Sequence, residues 1–288
     1  MRVSVLNKFT VLESVQSASG QEFEPLDGEQ WDRVVAAHDR HHRALERLDE
    51  ILSKLGWDYD ISSRGDFAGS DGFDLVISVG GDGTVLQASH KTLNVPLLGI
   101  NSDPEASVGY FCATDISGAE EALRRFEAQN IERFVLHRIR LEIDGEVVAP
   151  PALNDVLIAN ANPAATSRYS INAGAREERQ RSSGMWISTP AGSTAGIRSA
   201  GGAVLPLEGA QMQYLVREPV LHPSAHYELL RGVRNLDEGI TVVSEMADGC
   251  AYVDGPYVRV PLPWGTRLKL LAHQPLTLLG LEPSRRER

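Results

Sequence analysis

The clearest chemistry in the sequence lies in residues 80–84, which read Gly-Gly-Asp-Gly-Thr. They follow an apolar run at 73–79 that is typical of a strand buried in a parallel sheet, where ligands bind at the carboxyl ends of strands. Glycines there let backbone N–H groups approach a phosphate, and a helix beginning at Thr84 would add partial positive charge. The loop matches neither the Walker A pattern nor G-x-G-x-x-G. It predicts phosphate binding, and the alternative is a glycine turn whose aspartate caps the next helix.

Asp82 is the unusual member of this loop, because a carboxylate repels a phosphate unless it has a task of its own. Two tasks fit its position. It could hold a divalent cation, or it could accept a proton from an attacking hydroxyl group. The residues alone leave both open.

A second polar cluster covers residues 188–203, where small residues and hydroxyl side chains surround one arginine. Arg198 offers a planar donor fork suited to phosphate. The density of small residues beside the apolar segment 184–188 favours close approach of a ligand over a polar loop leading into a short helix. The hydroxyl groups belong to Ser188, Thr189, Ser193, Thr194 and Ser199.

Asn154 and Asp155 interrupt the apolar run 152–159. Adjacent residues of a strand point to opposite faces, so one of the two side chains is buried and needs partners. The pair either lies solvated on an edge strand or hydrogen-bonds ribose hydroxyls or a base edge at a crevice between two domains.

Three histidines, His38, His41 and His42, lie in the predicted helix 31–55. No carboxylate or cysteine completes a recognisable metal-ligand spacing with them. We therefore interpret them as part of a helix face and predict no metal ligands in the chain.

The predicted elements divide the chain into two domains. Strand and helix signals alternate in the first part, which indicates an α/β domain with a parallel sheet. A capping box is predicted there at Ser117 and Glu120. Short β segments follow, beginning with an Asp-Gly hairpin within 134–148, and they indicate an antiparallel β domain. We expect domains at 1–130 and 131–271, with 272–288 able to pack back on the first.

Composition excludes several classes of protein. The 288 residues include 28 Lys+Arg and 39 Asp+Glu, for a net charge of −11, which disfavours a nucleic-acid coat. Two cysteines exclude a disulfide scaffold, and no apolar run approaches the roughly 20 residues that span a bilayer. No signal-peptide pattern is visible, so a cytoplasmic protein without membrane partners is expected. Residues 161–200 nevertheless carry five arginines against two glutamates, which suits an anionic ligand.

Together these motifs resemble the NAD kinase family. The resemblance is closest to the mitochondrial-type branch of the family, as judged from two segments, NSDPE at 101–105 and NKFTVLE at 7–13. The matching segments run in family order over most of the chain: GGDGT at 80–84, LLGINSDPEASVGYF at 97–111, ALND at 152–155, STPAGSTAGIRSAGG at 188–202 and VDG at 253–255.

The resemblance implies a Rossmann-like N-terminal α/β domain and a C-terminal all-β, sandwich-like domain. It implies transfer of the γ-phosphoryl group of ATP to the 2′-hydroxyl of the adenosine ribose of NAD(H), with Mg²⁺ or another divalent cation, in a homodimer or homotetramer. Two alternatives remain: another kinase with this glycine loop, acting on a lipid or sugar phosphate, and a non-catalytic nucleotide-binding regulator.

The resemblance also assigns site residues by matched position. Asp82 would be the catalytic base that deprotonates the hydroxyl group. Asn154 and Asp155 would hold a ribose and the nicotinamide region of NAD. The remaining residues expected to bind nucleotide are Gly81, Gly83, Thr84, Asn101, Thr189, Ser193, Thr194, Ala195 and Ser199.

Two positions depart from the family pattern. Gly196 stands where the family has a tyrosine, and Ser183 stands where it often has an aspartate. Loss of a stacking ring could weaken base binding by about 1–3 kcal/mol, so the departures bear on substrate preference. Candidates to compensate are Arg168, Arg176, Arg179, Arg181 and Trp186.

Overall fold

The chain forms two units, which contain Met1–Phe134 with Leu276–Arg288 and Val135–Pro275. They are seen in a computed structural model that describes residues 1–18, 28–63, 65–220 and 227–284. No helix among these residues is long and apolar enough to cross a membrane.

The first unit alternates strands and helices, as predicted. Its strands are β1 (Arg2–Asn7), β2 (Asp58–Ser62), β3 (Leu75–Gly80), β4 (Leu97–Asn101) and β5 (Cys112–Asp115). Its helices are α1 (Val11–Ala18), α2 (Gly28–Leu55), α3 (Asp82–His90) and α4 (Ala119–Glu127).

The strands of this unit form a parallel sheet in the order β2-β1-β3-β4. All six residues of β3 are buried, as expected for a central parallel strand. Helix α2 covers the sheet with Leu48, Ile51 and Leu52, which recur at helical spacing. Because the strands are parallel, the carboxyl ends of β1, β3 and β4 share one edge of the sheet, which is where the glycine loop begins.

Over its described residues, 135–220 and 227–275, the second unit is all-β apart from one short helix and a 3₁₀ turn. Strand β6 begins in the first unit, and strand β17 ends in it. The elements are β6 (Arg133–Ile143), β7 (Glu146–Val147), β8 (Asp155–Asn160), β9 (Ser167–Asn172), β10 (Glu177–Ser182), β11 (Met185–Ser188), α5 (Gly196–Ser199), β12 (Gln211–Val216), β13 (Arg231–Asn235), β14 (Ile240–Ser244), β15 (Gly249–Val253), β16 (Val258–Leu262) and β17 (Arg267–Leu279).

Two antiparallel layers make up this unit. One contains β10-β9-β14-β17, and the other contains β13-β12-β11-β8-β15-β16. Residues of both layers meet in one apolar core, for example Ile171 and Leu268 from the first and Ile158 and Ile187 from the second. The predicted fold class, a Rossmann-like α/β domain with a β-sandwich-like domain, is confirmed.

Local predictions succeeded where turn chemistry was explicit and failed where a cap was inferred from one pattern. Asp144 and Gly145 both adopt positive φ, 53° and 87°, in the predicted β6–β7 hairpin. The predicted capping box at Ser117 is wrong. Asp115 is the cap there, because its side chain accepts a hydrogen bond from the Ser117 amide (2.8 Å). A 3₁₀ turn then precedes α4.

Candidate active site

The glycine loop joins β3 directly to α3, whose first residue is Asp82 rather than Thr84. A Cβ at Gly80 would overlap Thr84 Oγ1, and one at Gly81 would lie 2.5 Å from Ser107 Oγ. Packing therefore requires glycine at position 80, whereas a side chain at position 81 would displace the Ser107 hydroxyl. Gly83 differs, because among the described residues nothing lies within 4 Å of the Cβ that it lacks. Its exposed backbone leaves room for a ligand at the N-terminus of the helix.

Asp82 does not cap α3, so the glycine-turn alternative is wrong in that respect. The N-cap residue is Gly81, which makes no side-chain capping bond. Asp82 Oδ1 instead accepts a hydrogen bond from the amide of Phe111 at 2.8 Å. This bond ties one carboxylate oxygen to the segment after β4 and fixes the orientation of a partly exposed acid.

Asn101, at the end of β4, shapes the neighbouring loop. Its Nδ2 donates to Ser107 O (2.9 Å), and its Oδ1 accepts from Asp103 N (3.1 Å). Asp103 in turn pairs with Arg40, whose Nε lies 2.8 Å from Asp103 Oδ1. These contacts place Ser107 against Gly81 and so support the glycine loop. A direct contact between Asn101 and nucleotide stays a prediction.

In the second unit, Asp155 is the first residue of β8 and Asn154 directly precedes it. Strand β8 is a central strand between β11 and β15. The solvated edge-strand alternative is therefore wrong. The carboxylate of Asp254 accepts hydrogen bonds from three successive backbone amides, those of Leu153 (2.8 Å), Asn154 (2.7 Å) and Asp155 (3.1 Å). Asp254 thus fixes the backbone that presents both side chains.

The side chains of Asn154 and Asp155 differ in hydrogen bonding and in protonation. Asn154 Oδ1 is buried and has no hydrogen-bond partner among the described residues. Such an orphaned acceptor is costly unless a ligand supplies a donor. Burial, followed by the charge of Asp254, raises the pKa of the Asp155 carboxyl from 3.8 to about 7. Asp155 can therefore gain or lose a proton near neutral pH.

The polar stretch after β11 wraps around the same backbone. Thr189 Oγ1 donates to Leu153 O, and Ser193 Oγ donates to Pro190 O (2.7 Å). Both hydroxyl groups are fully buried and shape the loop, so their contact with nucleotide stays a prediction. A Cβ at Gly192 would overlap Asn154 O, which explains that glycine. The predicted residues left partly or fully exposed are Thr194, Ala195 and Ser199.

An apolar pocket of about 250 Å³ opens beside Asp155 and contains two aromatic rings, Trp186 and Tyr252. The Cβ that Gly196 lacks would lie 3.2 Å from Trp186 Cζ2, so the indole ring lies next to the position where the family has tyrosine. Ser183, the other departure, lines an adjacent pocket of about 330 Å³. Among the possible compensating residues, the structure favours Trp186.

The arginines of 161–200 are less available than the charge count suggested. Arg179 makes a two-pronged contact with Glu245, with distances of 2.8 and 2.6 Å, and Arg176 pairs with Glu228. Glutamates far away in sequence therefore neutralise part of the positive charge, which local counting could not show.

The role of Asp254 was not predicted, although the turn Val-Asp-Gly at 253–255 is one of the segments that resemble the family. A single aspartate in a turn usually accepts hydrogen bonds from backbone amides of that same turn. Here it accepts hydrogen bonds from the backbone at the start of a strand about 100 residues earlier, and no rule based on sequence spacing predicts such a contact.

Known proteins resemble this chain in sequence. A sequence model of the ATP-NAD kinase N-terminal domain matches residues 3–131. A probable NADH kinase of Oryza sativa subsp. japonica is 33% identical over 82% of this chain and 80% of its own length. An NADH kinase of Arabidopsis thaliana is 34% identical over 82% of each.

Solved structures show the same fold. An Archaeoglobus fulgidus NAD kinase, crystallised in complex with ATP, aligns over 100% of this chain and 96% of its own, with a TM-score of 0.69 and 22% identity. A yeast NADH kinase complexed with NADH aligns over 99% and 85%, with a TM-score of 0.70 and 15% identity. At such low identity these two show the fold alone. The plant relatives decide the family, and the chain belongs to the NAD kinase family.

Proposed function

We propose that this chain is an NAD(H) kinase that uses ATP. The observation that carries the proposal is the loop 80–84, where Asp82 is held by Phe111 N beside the open backbone of Gly83 at the start of α3. The oxygen of the 2′-hydroxyl of the adenosine ribose forms a bond to the γ-phosphorus. The bond between that phosphorus and the bridging oxygen breaks, and ADP leaves.

Asp82 accepts the proton of the attacking hydroxyl in this scheme. The loop amides and the N-terminal end of α3 stabilise the phosphate oxygens of the donor. Because Phe111 N holds Oδ1, the second oxygen, Oδ2, is the one that we assign to proton transfer. A positioned base of this kind contributes about 10²–10⁴-fold to rate.

Mg²⁺ belongs to the proposal as well. Mg²⁺ is commonly held by one or two carboxylates together with substrate phosphates. Because Asp82 is assigned to proton transfer, the ion is expected to arrive bound to the phosphates of ATP, beside the open loop 80–84. When bound, such an ion offsets negative charge on the phosphates.

The acceptor side of the proposal uses the second unit. The orphaned Asn154 Oδ1 offers an acceptor to a ribose hydroxyl, which supplies the missing donor. The pocket with Trp186 and Tyr252 accommodates a planar base beside Asp155. The predicted nucleotide contacts at Thr194, Ala195 and Ser199 belong to this side.

Assembly and location complete the proposal. On the basis of the family resemblance we infer a homodimer or homotetramer, and we propose the cytoplasm as its location. Sedimentation of the purified protein and fractionation of cells test the two points.

One assay tests the activity. The purified chain is incubated with Mg²⁺, ATP and either NAD or NADH, and formation of NADP or NADPH is measured, with polyphosphate as a parallel donor. Product in the ATP reactions supports the proposal. Binding of NAD(H) with no product from any donor would contradict it and favour the regulator instead.

Replacement of Trp186 by alanine should raise KM for NAD(H) about 5- to 150-fold, because stacking of a base on an aromatic ring contributes about 1–3 kcal/mol. The KM for ATP should change little. Steady-state kinetics with each substrate varied measures both constants. The matched control is Trp264→Ala, since Trp264 is 68% exposed. Equal KM values for NAD(H) in the two variants would remove Trp186 from the acceptor pocket.

Replacement of Asp155 by asparagine should change how stability depends on pH. Between about pH 4 and 7 the folded protein keeps a proton on Asp155 that the unfolded chain has released, because the folded pKa is raised from 3.8 to about 7. The contribution of Asp155 to stability therefore falls as pH rises through this window. Urea unfolding of both proteins at several pH values measures it. The stability of the wild type relative to Asp155→Asn should decrease up to about pH 7, and a constant difference would contradict the raised pKa.

A further inference from the structure

Three side chains of the first unit meet at the start of α1, outside the loop 80–84. They are Glu13 of α1 and His38 and His42, which lie one turn apart on α2, and we call them the Glu13–His38–His42 cluster. One ligand atom from each residue lies within 4.8 Å of the other two. Glu13 Oε1 is 3.2 Å from His42 Nε2, and the two imidazole centroids are 4.2 Å apart.

Thr10 orients two of these side chains, those of Glu13 and His38, through hydrogen bonds. Its backbone amide donates to Glu13 Oε2 (2.7 Å), and its Oγ1 lies 2.9 Å from His38 Nδ1. Metal-binding histidines and carboxylates are typically held in this way by outer hydrogen bonds, which leave the other nitrogen or oxygen for the metal. The arrangement thus supplies both the donor atoms and the groups that aim them.

We propose that the Glu13–His38–His42 cluster binds a divalent transition metal of the Zn²⁺ class, with water completing its coordination. Two imidazole nitrogens and one carboxylate oxygen suit Zn²⁺ and related ions, whereas Mg²⁺ prefers oxygen ligands alone. The Glu13 and His42 side chains are 28% and 43% exposed, so a metal and its water molecules can reach them.

An ordinary ion pair explains the cluster less completely. Such a pair needs one histidine beside Glu13, and His42 already occupies that position. The pair does not account for His38, whose ring is held by Thr10 Oγ1 with its centroid 4.2 Å from that of His42. A metal ion bound to both rings uses all three side chains and joins α1 to α2.

Metal titration tests the proposal without nucleotide. Full-length protein is stripped with a chelator, desalted and titrated with Zn²⁺ alone by calorimetry, and in parallel with Co²⁺ by visible absorption. We expect one equivalent per chain and, for Co²⁺, the absorption bands of a site with nitrogen ligands. His38→Ala and His42→Ala should each weaken Zn²⁺ binding at least 10-fold. Glu13→Gln should weaken it in the same direction.

The matched control is His137→Ala, because His137 lies in β6, outside the cluster. It should bind Zn²⁺ like the wild type. Circular dichroism of the stripped variants checks that they fold, and the more conservative His42→Gln replaces any that does not. Binding unchanged in both histidine variants, no binding by the wild type, or displacement of Zn²⁺ by millimolar Mg²⁺ would each overturn the proposal. These readouts do not involve phosphoryl transfer, so they stand apart from the kinase assay.

Discussion

Replacement of Asp82 by asparagine is expected to lower kcat about 10²–10⁴-fold while leaving the Kd of NAD(H) nearly unchanged. The amide cannot accept a proton from the attacking hydroxyl, but it is isosteric with the carboxylate. Its oxygen can still accept the hydrogen bond from Phe111 N, so the geometry of the loop is retained. Initial rates with saturating Mg²⁺-ATP and NAD(H) measure kcat, and calorimetric titration with NAD(H) measures Kd.

The comparison needs an aspartate that is close in sequence but has no role in the site. Asp71→Asn serves, because Asp71 is exposed in the turn before β3. It should retain the kcat of the wild type. A kcat for Asp82→Asn within a few-fold of that of Asp71→Asn would remove Asp82 from proton transfer. A large loss of NAD(H) affinity together with kcat would instead make Asp82 a residue that binds substrate.

The parallel sheet was predictable because its signals are local. The runs 73–79 and 95–100 are predominantly apolar, as strands buried on both faces are, and β3 and β4 overlap them. Glycines at the carboxyl end of such a strand indicate a ligand loop whatever surrounds it. The position of Asp82 at the start of α3 therefore followed closely from sequence, although the helix begins two residues earlier than supposed.

Strand β10 shows what local signals could not reveal. Its residues, Glu-Glu-Arg-Gln-Arg-Ser, contain no apolar side chain, so no hydrophobic alternation marks it as a strand. It forms because β9 pairs with it along its whole length, from Glu177 opposite Asn172 to Ser182 opposite Ser167. Backbone hydrogen bonding to a neighbour thus decides its conformation, and that neighbour is a tertiary fact.

The same limit applies to the two sites. Residue types identified Asn154 and Asp155, but the aspartate that supports them lies about 100 residues further along the chain. His38 and His42 were noted, but the carboxylate beside them comes from a different helix, α1. Spacing rules find ligands that share one element, and both of these clusters are assembled from separate elements.

Replacement of Asp254 by alanine is expected to lower the free energy of unfolding by about 3 kcal/mol, because three backbone amides lose a charged acceptor. The same change should raise KM for NAD(H) at least about 10-fold, since the backbone carrying Asn154 and Asp155 loses its support and a 1.4 kcal/mol loss of binding already corresponds to that factor. Urea unfolding and steady-state kinetics with varied NAD(H) measure the two effects. KM for ATP serves as the internal reference.

One further variant, Asp254→Asn, separates the hydrogen bonds of Asp254 from its charge, and a second, at Asp248, serves as the control. Asp254→Asn keeps one side-chain oxygen as an acceptor but places an NH₂ group where the second oxygen was, so its stability should lie between those of the wild type and Asp254→Ala. Both substitutions remove the negative charge that helps to raise the pKa of Asp155, so that pKa should fall in each. Asp248→Ala, at an exposed position near β15, should behave like the wild type. If Asp254→Ala unfolds and binds NAD(H) as Asp248→Ala does, the three hydrogen bonds do not support the site, and the geometry of Asn154 must be maintained by the loop after β11 instead.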